Sequence, residues 1–446
     1  MIVIPEKVRK VISALRECGH EAYMVGGCVR DSLLGKEPGD YDVTTSATPD
    51  EMKRSLAGFK IIETGLKHGT LAVISDGEPI EVTTYRLDGE YTDHRRPETV
   101  ILTKELSEDL KRRDFTVNAM AFSEKDGLID LFEGKKDLEA GLIRCVGDPE
   151  KKFEEDALRI LRALRFSATL GFEIEKNTED AIHKLYHLLE FVSKERICAE
   201  VKKLICGKSD AVFNVLTKFS DVICFIIPEM KDAVGLDQKN KWHIYDVYTH
   251  IAKVVEYTPP ILNVRLAALF HDIAKPAKMF LDENGVGHFW GHPEESAVIS
   301  ESVMKRLTFD NNTVKRVCRL IEIHDVRPEA NKRALRKYLS KYNDVDPDEI
   351  MMIRRADLKA QNPEFHSLFD YLDDCERIIR EIKNDNLAIK ISDLNINGND
   401  ITSLGAKGET VGKILSKLLS DVVEEKIEND KPALFTRAME LYMSMR

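Results

Sequence analysis

Asp40-Tyr41-Asp42 sets two carboxylates two residues apart, directly before the β-branched run Val43-Thr44-Thr45. On a strand, side chains at i and i+2 share a face, so this pair is placed to hold divalent cations. Glu81 sits in Ile80-Glu81-Val82-Thr83, where Ile80 and Val82 would face a core and Glu81 the other side. An adjoining strand at that position completes an acidic cluster. Upstream, Tyr23 to Leu34 reads as an apolar strand that passes through Gly26-Gly27 into a helical pattern carrying Arg30 and Asp31. Paired glycines let backbone N–H groups approach phosphate oxygens, and a helix start favours negative charge. The same residues in an ordinary strand-to-helix turn would leave only a surface ion pair. Three carboxylates beside a phosphate-cradling Gly-Gly suit two-metal phosphoryl or nucleotidyl transfer.

A second set has metal-ligand chemistry. His271-Asp272 closes an apolar helical pattern that begins at Ile261, with His250 before it and His292, His324 and Asp357 after it. Imidazole nitrogen and carboxylate oxygen suit a divalent transition metal or Mg²⁺. Any one of these histidines alone reads as an interfacial residue with satisfied hydrogen bonds.

These side chains need a scaffold, and the 446 residues, 43% of them hydrophobic, suffice for several packed cores. The first 150 residues mix short apolar runs with glycines: Ala22 to Val25, Tyr41 to Val43, Gly69 to Ile74, Pro79 to Thr84 and Thr116 to Phe122. They read as an α+β unit with a mixed sheet, and from Phe153 onward apolar spacing of three and four predicts mostly helix. The domains expected are 1–150, 151–235, 236–370 and 371–446. The helix expected from Phe153 carries its acids in the first turn, with Asp156 and Arg159 as i,i+3 neighbours on one face. Asp282 to Gly291 reads as a turn or hairpin. The eight cysteines form no CxxC pair and are expected to be reduced core residues, without a zinc ribbon. A net charge of −11 excludes a uniformly basic nucleic-acid coat and a polybasic membrane anchor, so a nucleic-acid partner must be met by a local patch. No apolar run approaches the ~20 residues of a membrane span, and Glu6 and Lys7 stand where a signal peptide would be apolar. The expectation is a cytoplasmic protein.

The run Val25-Gly26-Gly27-Cys28-Val29-Arg30-Asp31, followed by Gly39-Asp40-Tyr41-Asp42-Val43, resembles the signature of polymerase β-type nucleotidyltransferases, in particular the bacterial class II tRNA nucleotidyltransferases. Arg112-Arg113-Asp114-Phe115-Thr116-Val117-Asn118-Ala119-Met120-Ala121 is similar to another motif of that family, and Arg86 to Pro97 to its flexible loop, with Arg86, Asp88, Asp93, Arg95 and Arg96 as the residues of interest. The resemblance implies that Asp40 and Asp42 hold two Mg²⁺, that Glu81 supports them, and that Gly26, Gly27, Arg30, Arg112, Arg113, Asp114 and Asn118 bind the nucleotide. Glu155-Asp156-Ala157-Leu158-Arg159 resembles the family's amino-acid template, in which Asp156 and Arg159 read the base edges of CTP or ATP, joined by Arg162 and Arg165. A carboxylate accepting from an exocyclic amine and a guanidinium fork donating to ring positions is sound chemistry for that task. Ser193 to Glu200 resembles the next helical motif, more a brace than a ligand.

The histidine set resembles an HD phosphohydrolase domain. That likeness implies His250, His271, Asp272 and Asp357 as ligands of one metal, His292 and His324 as ligands of a second, and Lys275 as a phosphate contact. The function implied is addition or repair of the 3′-terminal CCA of tRNA from CTP and ATP, with release of pyrophosphate. The alternatives are an A-adding tRNA nucleotidyltransferase, a poly(A) polymerase, or an HD-type phosphohydrolase acting on phosphate or 2′,3′-cyclic phosphate ends.

Overall fold

The computed structural model describes residues 2–66, 69–88 and 100–445, which cluster into two compact units, Met1–Pro228 and Glu229–Arg446. The first unit begins with helix Glu6–Glu17, whose Val8, Val11, Ile12 and Leu15 recur at helical spacing and form its buried stripe. Strands β1 (Ala22–Val25), β2 (Asp42–Thr45), β3 (Lys60–Gly65), β4 (Thr70–Ser75) and β5 (Glu78–Thr84) follow. Next, β6 (Arg86–Asp88) and β7 (Val100–Leu102) pair as a separate antiparallel ribbon. The chain then returns to the main sheet in β8 (Met120–Ser123) and β9 (Gly127–Asp130), giving the order β3-β4-β5-β2-β1-β8-β9. Only β2 and β5 run parallel in this sheet. Strand β1 lies near the middle and is buried along its whole length, as a strand covered on both faces must be. Strand β5 alternates, with Ile80, Val82 and Thr84 buried and Glu81 exposed.

Three local features differ from the sequence expectation. Asp42 opens β2, while Asp40 lies in the bend before it, so the two acids are not both strand residues. Thr116–Asn118 is a tight 3₁₀ turn and not the start of a strand. The helix expected to run on from Phe153 is two helices, Pro149–Glu155 and Leu158–Leu170, broken at Asp156, whose backbone is extended at φ −143° and ψ 101°. Of the cysteines, Cys28, Cys145, Cys198 and Cys375 are buried, whereas Cys18 is exposed; all eight are free thiols.

Gly134 locks the turn at Thr116 into place. A Cβ on Gly134 would lie 2.2 Å from the Thr116 carbonyl oxygen and 2.8 Å from its carbon, and backbone cannot yield as a side chain can. Gly134→Ala is therefore expected to destabilise the protein by about 1–3 kcal/mol, the usual cost of overpacking. A lowered midpoint in urea denaturation checks this; an unchanged midpoint would show that the turn adapts freely.

The second unit is helical apart from the short hairpin Phe280–Leu281 with Gly287–His288. Helices Val247–Tyr257, Leu262–Phe270, His292–Arg306, Asn311–Ile323 and Pro347–Ala360 pack on one another. The final segment has its own core, in which Ile401, Ile414, Leu418, Leu434 and Ala438 meet. Among the described residues no helix is long and apolar enough to cross a membrane.

Candidate functional site

In the first unit the parallel pairing of β2 with β5 sets Asp42 opposite Glu81. Asp42 is half-buried, and burial together with Asp40 and Glu81 pushes its carboxyl up to about 6, with Arg113 acting in the opposite sense. A cluster so short of positive charge fits divalent metal, because hard oxygen donors and unbalanced negative charge are what such an ion needs.

The two arginines of the Arg112-Arg113 pair share one anchor, Asp109, which is fully buried. Its Oδ1 accepts from Arg112 Nε at 3.0 Å and Nη2 at 2.8 Å, and its Oδ2 accepts from Arg113 Nη2 at 3.3 Å and from Thr44 Oγ1 at 3.2 Å. Burial opposes ionisation of Asp109, but Arg113 and Arg112 outweigh it and hold the carboxyl below the usual range. Helix Leu106–Lys111 delivers this anchor by packing Leu110 against Tyr23, Val25, Tyr85 and Ala121. Arg113 Nη1 comes within 3.0 Å of where a Cβ on Gly26 would stand, at φ +79°, so the glycine suits both the turn and the close approach.

A second chain of contacts links Arg30, Asn118, Asp114 and Arg162. Arg30 Nη1 donates to Asn118 Oδ1 at 2.6 Å, and Asn118 Nδ2 donates to Asp114 Oδ1 at 3.3 Å. Arg162 Nε donates to Asp114 Oδ2 at 2.7 Å. Burial works against the Asp114 charge, yet Arg162 and the Asn118 amide overcome it and hold the carboxyl at about 2. The guanidinium groups of Arg30, Arg162 and Arg165 all stand over the Phe166 ring, Arg165 nearest at 3.9 Å. Stacking of this kind orients planar cations without consuming their hydrogen bonds. Arg165 also pairs with buried Glu200 at 2.6 Å.

Asp156 and Arg159 meet through their backbones, Arg159 N donating to Asp156 O at 3.0 Å, and their side chains reach other partners. Asp156 caps the second helix by accepting from Leu158 N at 3.2 Å, and its Oδ2 accepts from Arg196 Nη2 at 2.7 Å. Arg159 pairs with Glu155 and donates to the backbone oxygens of Lys152 at 2.9 Å and Arg112 at 3.1 Å. Arg86 sits in β6, whose backbone pairs with β7 and includes Asp88. Asp93, Arg95 and Arg96 lie outside the described residues.

In the second unit, His250, His271, Asp272, His292, His324 and Asp357 converge. Asp272 Oδ2 lies 3.1 Å from His271 Nε2 and 3.4 Å from His250 Nε2, while its Oδ1 lies 3.2 Å from His292 Nε2 and 4.0 Å from His324 Nε2. Asp357 Oδ1 stands 3.0 Å from His250 Nε2. The Nδ1 atoms of His271, His292 and His324 each meet a carbonyl three residues back, on Ala268, Phe289 and Ile321, at 2.7–2.9 Å. A ring that donates Nδ1–H to that carbonyl turns its Nε2 lone pair inward, toward carboxylate oxygens. Lone pair facing lone pair is repulsive unless a cation lies between, so this donor set fits divalent metal. Burial and then His271 draw His324 down to about 4, in keeping with a neutral ring. Lys275 Nζ reaches Asp272 Oδ2 at 2.7 Å and Gln238 Oε1 at 2.8 Å.

Asp109, Gln238 and His243 were not singled out by the sequence. Asp109 precedes Arg112 and Arg113 by three and four residues, the spacing of helix neighbours, which is a usable signal. His243 stacks edge-on against His250 with centroids 4.7 Å apart, but it lies in an aperiodic connector that gives no such signal.

Comparison with known proteins adds family evidence to this geometry. Residues 22–144 match the poly A polymerase head domain, 171–233 the probable RNA and SrmB-binding site of polymerase A, and 294–438 the tRNA nucleotidyltransferase domain 2. The chain is 34% identical to the CCA-adding enzyme of Ligilactobacillus salivarius over 98% of both chains. It is 32% identical to that of Bacillus cytotoxicus over 95% of both. Its fold superposes on the crystal structure of the Bacillus stearothermophilus CCA-adding enzyme in complex with CTP with a TM-score of 0.73, at 27% identity over 99% of each chain. On sequence, fold and the arrangement of its acidic head, the chain belongs to the family of CCA-adding enzymes, the tRNA nucleotidyltransferases.

Proposed function

We propose that this chain adds or repairs the 3′-terminal CCA of tRNA, transferring nucleotidyl groups from CTP and ATP and releasing pyrophosphate. The observation that carries this reading is the register placing Asp42 opposite Glu81 beside Asp40, next to the Gly26–Arg113 approach. Asp40 and Asp42 would hold Mg²⁺ with Glu81 in support, and the bound ions would supply hydroxyl activation and charge neutralisation at the triphosphate. Arg112 and Arg113, fixed by Asp109, present cationic edges to the phosphates. Asp114 and Asn118, fixed by Arg162 and Arg30, receive the ribose and triphosphate side of the nucleotide. Asp156 accepts from the exocyclic amine that CTP and ATP share, and Arg159 donates to the neighbouring ring positions. Because UTP and GTP carry a carbonyl oxygen where CTP and ATP carry that amine, the pair selects against them.

Primer extension tests this with purified protein and Mg²⁺, tRNA ending before CCA, after C or after CC, and each nucleotide separately. Extension of all three to CCA is the expected result. Addition of A alone to the CC-ended tRNA would replace the reading by an A-adding enzyme, and no addition would remove it.

Arg196 is expected to fix the base-reading carboxylate. Arg196→Ala frees Asp156 on one side, and a hydrogen bond to a charged group is worth about 1.5–3 kcal/mol. The expected result is a fall in kcat/KM for CTP and ATP of roughly ten-fold or more at 1.4 kcal/mol per decade, with little change for UTP and GTP. An equal fall for all four nucleotides would mean that Arg196 braces the fold without tuning selection.

A second reading holds for the residues around Asp272. The inward-facing Nε2 atoms favour an HD-type metal centre, in which His250, His271, Asp272 and Asp357 would hold a divalent transition metal that would supply Lewis-acid chemistry for phosphate-ester hydrolysis.

A further inference from the structure

The histidine–aspartate cluster forms the floor of an open pocket of about 1180 Å³. Both tryptophans of the chain, Trp242 and Trp290, line it. Trp290 is 74% exposed, although tryptophan normally buries most of its surface. It is nevertheless held in place. Its ring stacks on His288, with centroids 5.1 Å apart and planes at 29°, and on Phe280 at 5.8 Å and 27°. Phe280 and His288 face each other across the hairpin, and His288 Nε2 is tied to Asp282 Oδ2 at 3.0 Å. The result is a fixed aromatic surface whose outer part is left to solvent.

Only Gly291 separates Trp290 from His292 of the cluster, so their Cα atoms are at most roughly 7 Å apart. Trp242 packs on Phe365 at 3.8 Å, and Lys241 stands over both rings at 5.4 and 5.6 Å. Six carboxylates and four cationic side chains line the pocket among the described residues, an excess of negative charge that one divalent metal at the floor would neutralise. Such a pocket needs a ligand with an anionic end for the floor and a flat aromatic end for the rim, joined by a short polar spacer.

We infer that this pocket binds a nucleoside phosphate, its phosphate at the histidine–aspartate floor beside Lys275 and its base stacked on Trp290. The inference deepens the metal-centre reading above and rests on it for the phosphate end. The base end rests on the ring array alone. Stacking on an aromatic tolerates any base, so selection here is for a nucleotide and not for a sequence.

Since both tryptophans of the chain lie in this pocket and the head sequence has none, tryptophan fluorescence of the full chain reports on the pocket. The experiment uses the intact protein with Mn²⁺ and three probes: adenosine 3′-monophosphate, ribose 5-phosphate and inorganic phosphate. In Trp242→Phe, where Trp290 alone emits, adenosine 3′-monophosphate is expected to quench saturably and the two base-free probes not to. In Trp290→Ala, read through Trp242, its affinity should fall at least about five-fold, the lower end of what one stacked base contributes. Because Trp290 is so exposed, its truncation leaves the packing of the unit intact. A quench as strong with ribose 5-phosphate, or an affinity unchanged within two-fold in Trp290→Ala, overturns the inference. A 3′-phosphorylated RNA tetranucleotide identifies the source: tighter binding than the mononucleotide assigns the site to strand ends, equal binding to free nucleotides, and both keep the base on Trp290. Mn²⁺ binding is measured separately by electron paramagnetic resonance. If Mn²⁺ fails to bind, the metal reading falls while the base-dependent quench is still tested; if Mn²⁺ binds and Trp290→Ala titrates like the parent, the stacking inference falls alone.

Discussion

Asp42→Asn is expected to abolish nucleotide addition to all three tRNA primers while leaving the protein at least as stable as its parent. The expected loss follows from the proposed chemistry: the substitution removes the carboxylate that the β2–β5 register sets opposite Glu81, and with it charge that would hold divalent metal. Metal at a phosphoryl centre is worth several kcal/mol of transition-state stabilisation, on the order of a thousand-fold in rate at 1.4 kcal/mol per decade. Preserved stability follows from the electrostatics, because burial and the neighbouring Asp40 and Glu81 already disfavour the Asp42 charge. A neutral amide of the same shape relieves that repulsion, which is the usual relation between a site built for function and the fold that carries it. Two measurements check the pair of claims, single-turnover primer extension and thermal unfolding. Addition retained within ten-fold of the parent would remove Asp42 from the metal site. Loss of activity together with a large drop in unfolding temperature would show a structural role instead.

The acidic cluster was legible because its signals are local. Alternation in Ile80-Glu81-Val82 predicts which side Glu81 faces, and β5 places Ile80 and Val82 inside with Glu81 outside. The break at Asp156 was not legible, since Glu154 to Arg165 is composed almost wholly of good helix formers. The interruption comes from a side chain 40 residues away, Arg196, and from the Asp156 carboxylate capping Leu158 N in place of the backbone. Thr116-Val117 reads as strand by its β-branched composition, yet Thr116 N donates to Arg144 O at 2.9 Å and Thr116 Oγ1 to Asp137 Oδ2 at 2.7 Å, which curl the segment into a turn. The histidine set was readable as residue types but not as a geometry. Only the fold shows that three of its rings share one device, an Nδ1 at the carbonyl three residues back that turns Nε2 inward.

That device makes Asp272 the residue on which the second unit's chemistry turns. Asp272→Ala is expected to lower Mn²⁺ affinity by more than the roughly 10–100-fold that loss of an outer-shell partner costs, because both of its oxygens face imidazole nitrogens within 3.5 Å. It also strips buried Lys275 of its carboxylate, leaving Gln238 Oε1 as a neutral partner. An uncompensated buried charge costs about 3–5 kcal/mol, so the apo variant should unfold at a markedly lower temperature. Asp272→Ala with Lys275→Met separates these effects: removing both charges should recover much of the stability and none of the Mn²⁺ affinity. Nucleotide addition in the head should survive both variants at a temperature where they remain folded, and any phosphate-ester hydrolysis should vanish with the metal. Full Mn²⁺ binding in Asp272→Ala would mean that the histidines converge for packing alone. Stability that stays low in the double variant would assign the loss to Asp272's contacts with the histidines and not to the stranded lysine.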